Sequence, residues 1–128
     1  MTETTVLALY GLLVLLTLLL QVTGATGQLG IGYLMSSRDE HRTVTGMTGR
    51  LERALNNSIT GMALFAPAVL ILVATDKTSA GSLLAAQAFL LARVIYLPAY
   101  VFRLTGVRTL AWLAGFAATA MLYLMALR

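Results

Sequence analysis

The sequence predicts an all-α membrane protein, a four-transmembrane-helix bundle forming a single domain over residues 1–128. Three observations predict it. The chain is 59% hydrophobic and only 11% charged, where a soluble domain carries about 25% charged residues. Its mean hydropathy is +0.84. The apolar residues also gather into four runs, each near the roughly 20 residues that a span needs, separated by short polar stretches.

The first span is expected from Val6 to Leu34, greasiest between Val6 and Leu20. Residues 1–5 contain Glu3 and neither Lys nor Arg, so the positive start of a secretory signal is missing and the segment reads as a retained span. From Gln21 to Gly32 the residues turn small and polar, and Gly24, Gly27 and Gly30 would let another helix approach closely. A polar loop follows from Ser36 to Gly49.

The second span is expected over Ala54 to Thr75 with Pro67 inside, and the third over Leu83 to Phe102 with Pro98 inside. A tight connection, Asp76 to Gly81, joins them. Each proline lacks an amide hydrogen, so Pro67 should free the carbonyl of Ala63 and Pro98 that of Val94. Residues Arg103 to Arg108 form the next turn, and the fourth span covers Thr109 to Leu127. No internal repeat or low-complexity segment interrupts this order.

Loop charge sets the orientation. Arg38, Arg42, Arg50 and Arg53 accompany the first loop, and Arg103 and Arg108 the third, whereas the second has only Lys77. Basic loops stay cytoplasmic, so both termini are expected outside. The net charge is +4, but the basic residues flank apolar segments, which argues against nucleic-acid binding. With no cysteine and His41 as the lone histidine, disulfides, thiolate catalysis by the protein and a metal site are not expected.

The chemistry-bearing residues lie where polar loops become apolar helices. Arg53, Asn57 and Thr60 stand four and three residues apart, on one helix face. Arg93, Tyr96 and Tyr100 repeat that pattern in the third span. Arg93 lies well inside an apolar segment, where an unpaired arginine costs about 2.5–3.5 kcal/mol. No acid lies mid-span, so its partner should be a carboxylate near a helix end, such as Glu52, a set of backbone carbonyls, or a bound anion. A buried arginine that merely pins the bundle is one reading, and tyrosines that merely anchor the interface another. The functional reading is an anion pocket built by Arg53, Arg93 and Arg108 and lined by tyrosine hydroxyls.

These motifs resemble the MAPEG family, the membrane-associated proteins in eicosanoid and glutathione metabolism. The resemblance covers nearly the whole chain. Arg53-Ala54-Leu55-Asn56-Asn57-Ser58-Ile59-Thr60 corresponds to the family's arginine-alanine, asparagine and glutamate motif at the start of the second helix. Arg93-Val94-Ile95-Tyr96-Leu97-Pro98-Ala99-Tyr100 corresponds to the motif of the third, and Arg108 with Thr109 to the start of the fourth. The resemblance implies a homotrimer, glutathione bound between neighbouring protomers, and an arginine that holds the thiol as thiolate. It implies that Arg53, Asn57, Thr60, Arg93, Tyr96, Tyr100 and Thr109 border the tripeptide and that Arg108 is the catalytic residue. A bacterial-type member would sit in the inner membrane with periplasmic termini.

Three departures are visible. Thr60 stands where the family has the glutamate that receives the glutathione ammonium group, Asn56 stands where some members have a further basic residue, and the first-helix arginine of eicosanoid enzymes has no match beyond Gln28 and Tyr33. Two functions are therefore expected. One is a glutathione-dependent transferase or peroxidase acting on a lipophilic substrate. The other is a non-catalytic structural or accessory membrane protein that binds lipid or a partner protein in a larger membrane complex. A channel is disfavoured, because the polar residues cluster at one face.

Overall fold

A computed structural model describes residues 1–128 and contains five helices: α1 (Glu3–Leu29), α2 (Ile31–Leu34), α3 (Gly46–Ala74), α4 (Ala80–Val101) and α5 (Thr105–Leu127). All but α2 are long and apolar enough to cross a membrane. They alternate in direction, so the loop after α2 shares one end of the bundle with the α4–α5 turn. Arg38, Arg42, Arg50, Arg53, Arg103 and Arg108 all belong to that end, whereas Lys77 and Arg128 belong to the other.

Local chemistry sets the helix ends. Thr2 caps α1, its hydroxyl accepting from the Thr5 amide at 3.3 Å. The first span ends at Leu29 rather than Leu34, because Gly30 adopts φ +84 and only the single turn of α2 follows. α3 starts at Gly46, eight residues before Ala54, so Arg50 and Arg53 are helical. The Gln28 side chain fixes that start: it donates to the Thr45 carbonyl at 3.0 Å and accepts from the Thr45 amide at 2.9 Å. A Cβ at Gly24 would collide with the Thr48 side chain, so this glycine allows close packing of α1 on α3. Gly27 meets nothing within 4 Å.

Ser79 and Ser82 form a capping box at the start of α4. The Ser82 hydroxyl also donates to the buried carboxylate of Glu3, tying α4 to α1. At the same end the Lys77 ammonium caps the Ala126 carbonyl of α5 at 2.8 Å. At the opposite end Arg50 does so for α4, its Nε donating to the Val101 carbonyl at 2.7 Å. Both prolines lie inside continuous helices. Beside the carbonyl that Pro67 frees, the Leu64 carbonyl accepts from the Tyr123 hydroxyl of α5 at 2.7 Å.

The core runs through all four long helices. Phe65 and Phe89 stack with ring centroids 3.9 Å apart, and Tyr10 meets Phe89 edge-on at 4.8 Å. Val6, Leu72 and Leu122 complete its fully buried centre. Lipid is as apolar as these residues, so close packing and interhelical hydrogen bonds hold such a bundle together.

Candidate functional site

Arg93 occupies the second half of α4, 4% exposed, with no carboxylate beside it. Its Nη2 donates to Asn57 Oδ1 at 2.8 Å and to Ser58 Oγ at 3.3 Å, both on α3. Its Nε is buried without a hydrogen-bond partner. The guanidinium lies 4.4 Å from the centroid of the Tyr96 ring. The positive charge is therefore met only by neutral groups. Glu52, the acid that the sequence offered, lines a different pocket.

A second pair of cations shares Tyr100. Arg53 Nε donates to the Tyr100 hydroxyl at 3.3 Å, and the Arg108 guanidinium lies 4.8 Å from the centre of the same ring. Tyr96 and Tyr100 are themselves 5.7 Å apart, ring to ring. Two tyrosines on successive turns of α4 thus link Arg93 to Arg53 of α3 and to Arg108 of α5. Beneath them Ala54 and Ala111 pack against Tyr96, and their small side chains let the three helices converge. The early start of α5, at Thr105 rather than Thr109, puts Arg108 in a helical first turn.

Beside Arg93 opens a cleft of about 350 Å³ between α3, α4 and α5. Asn57, Thr60 and Arg93 provide polar groups in its lining, while Leu64, Phe89, Trp112, Phe116 and Tyr123 make it greasy. No acid lines it. A cleft of this kind accepts a ligand with an anionic part and an apolar part. The Thr60 hydroxyl donates to the Asn56 carbonyl at 3.1 Å, within its own helix. Thr109 does the same toward the Thr105 carbonyl at 2.9 Å and is exposed, with no bond to the arginines.

Sequence reasoning missed three residues. Ser58 shares the Arg93 guanidinium with Asn57. Tyr10 of α1 is fully buried and donates to the Ser58 carbonyl at 2.7 Å. Gly61 leaves room for it: a Cβ there would lie 2.9 Å from the Tyr10 hydroxyl and 3.7 Å from the Arg93 guanidinium carbon. A lone tyrosine in the greasiest part of the first span was the one available signal, since a buried phenol needs a partner.

Four apolar spans, with Arg53, Arg93 and Arg108 meeting tyrosines rather than carboxylates, define an integral membrane helix bundle with a cleft beside a buried cation. The model of the MAPEG family matches residues 4–128. This chain belongs to the MAPEG family. Neither curated proteins nor solved structures yielded a match.

Proposed function

We propose that the protein is a glutathione-dependent transferase or peroxidase acting on a lipophilic substrate. The observation that carries this reading is Arg93: a buried cation with no acid beside it and an unpartnered Nε, next to a cleft that is otherwise largely apolar. An anionic guest would supply the missing countercharge.

Glutathione offers two carboxylates and a thiol. In this reading Arg93 and Asn57 hold one carboxylate, and Arg53 with the Tyr100 hydroxyl the other, because guanidinium groups fork onto carboxylates. Arg108 faces the sulfur, and its fixed positive charge favours thiolate over thiol. The thiolate then bonds to an electrophilic carbon of the second substrate, whose leaving group or epoxide oxygen takes the electron pair. Leu64, Trp112, Phe116 and Tyr123 receive that substrate's apolar part. We place the working unit in a homotrimer, in which a neighbouring protomer would close the open side of the cleft. The six arginines at one end of the bundle support a cytoplasmic position for it, with periplasmic termini if the membrane is a bacterial inner membrane.

One observation favours a second reading. With Thr60 in place of an acid and no carboxylate in the cleft, nothing there receives an ammonium group. An anionic lipid without an amine would satisfy Arg93 equally well, and the protein would then be a non-catalytic membrane component. Titration with glutathione separates the two. Under the first reading it binds, and thiolate absorbance appears in the native protein and disappears in Arg108→Leu while binding persists. No binding at millimolar glutathione removes the enzyme reading.

A further inference from the structure

A second pocket lies apart from the Arg93 cleft, where α2 and the following loop fold over α1 and α3. It holds about 150 Å³ and is lined by Gln21, Tyr33, Arg38, Arg42, Thr43 and Glu52, among others. Its walls carry both signs of charge, yet the two signs do not meet. The only salt bridge in the protein joins Arg42 to Glu40, at 2.6 Å. Glu52 has no ionic partner, although two arginines line the same small space.

The cationic wall is held in place. Arg38 Nε and Nη2 donate to the Leu34 carbonyl at 3.1 and 2.8 Å. The Arg42 guanidinium rests 4.9 Å from the centre of the Tyr33 ring, and the Arg42 amide donates to the Tyr33 hydroxyl at 2.7 Å. The pocket also holds acceptors: the Glu52 carboxylate, the Gln21 amide oxygen and the Thr43 hydroxyl belong to lining residues and have no hydrogen-bond partner within the protein. Arg42 and Glu40 cancel, which leaves Arg38 and Glu52 as the charges to be met. The complementary guest is neutral overall, with an anion at one end and an N–H-rich cation at the other.

We propose that this pocket binds an aminoethyl phosphate zwitterion, with its phosphate on Arg38 and its primary ammonium on Glu52, Gln21 and Thr43. A primary ammonium has three N–H donors, which matches those three acceptors. A trimethylammonium has none and needs aromatic faces, and the one aromatic ring here is already covered by Arg42. The volume suits a headgroup without its chains. The pocket sits at the end of two spanning helices, so the group could arrive on a membrane lipid or as the free compound.

Native mass spectrometry of the full-length protein in detergent tests this with phosphatidylethanolamine, phosphatidylcholine and phosphatidylglycerol carrying the same chains. The ethanolamine lipid should bind about tenfold more tightly than the choline lipid, the factor that one charge-assisted hydrogen bond supplies. Glu52→Gln, an exposed isosteric change, should erase that preference while the melting temperature stays constant. Arg93→Leu should leave the preference intact, which separates this pocket from the cleft above. Equal binding of the choline lipid, tighter binding of the glycerol lipid, or a preference that survives Glu52→Gln would each overturn the assignment. Free phosphoethanolamine identifies the source: displacement of the lipid at matching affinity points to the soluble zwitterion, and binding of the lipid alone points to the headgroup.

Discussion

Arg93 donates to Asn57 at 2.8 Å, so the middle of α4 is joined to α3 by a cation and a neutral amide rather than by an ion pair. Asparagine orients the guanidinium without cancelling its charge. An aspartate at the same position would hold the arm equally well and neutralise it. Retaining a bare cation inside an apolar span is costly, and the open cleft beside it is where that cost can be recovered by a ligand.

Asn57→Asp follows directly. The new carboxylate would pair with Arg93 across the existing 2.8 Å contact, so the melting temperature in detergent should hold or rise. Affinity for glutathione or any other anionic ligand of the cleft should fall by about tenfold or more, since the guest loses a charge-assisted bond and meets a like charge. Calorimetry on the purified variant reads both halves of this outcome. Undiminished anion binding would show that Arg93 is not the receiving group.

Tyr100 separates two roles that one side chain combines. Its hydroxyl accepts from Arg53, while its ring carries Arg108. Tyr100→Phe should loosen Arg53 and weaken ligand binding severalfold, with little change in stability, because the bond lost is exposed and a typical hydrogen bond contributes only about 0.5–1.5 kcal/mol. Tyr100→Ala removes the ring as well. It should additionally suppress the thiolate signal assigned to Arg108, which Tyr100→Phe should leave in place.

The fold was legible because the bilayer allows few solutions: an apolar run near 20 residues has to be a helix. The four spans therefore emerged from composition alone, while their ends did not. Gly30 turns the chain after Leu29, and α3 begins at Gly46 inside a stretch whose threonines and charges read as loop. The start of α3 is set by a pairing across a long sequence gap, between Gln28 and Thr45, which a local pattern does not reveal. The arginines could be grouped by helical spacing and a common membrane end. Their neutral partners could not, because Ser58, Tyr10 and Gly61 meet Arg93 only through the packing of α1 on α3 and α4.

That packing makes Gly61 a sensitive position. A Cβ there would sit 2.9 Å from the Tyr10 hydroxyl, which is itself bonded to the Ser58 carbonyl. Gly61→Ala should destabilise the bundle by about 1–3 kcal/mol, the usual cost of overpacking. Removing the hydroxyl as well, in Gly61→Ala with Tyr10→Phe, should recover much of the loss even though Tyr10→Phe alone destabilises. Thermal unfolding of the four proteins closes this cycle. Additive losses would mean that the two residues do not compete for the same space.

Thr60 gives the sharpest test of what the cleft receives. It stands three residues after Asn57, lines the same cleft, and spends its hydroxyl on the Asn56 carbonyl. Thr60→Glu places a carboxylate where the cleft has none. If glutathione lies with its ammonium group toward α3, the substitution adds a charge-assisted hydrogen bond, and its affinity should rise by about tenfold or more. A glutathione analogue lacking the α-amino group should show no gain, because it has nothing to offer the new acid. A loss of affinity for both compounds would mean that the glutamate turns to Arg93 and closes the site from within. An unchanged affinity for both would mean that the ammonium lies elsewhere, leaving an amine-free anionic lipid as the better guest for this cleft.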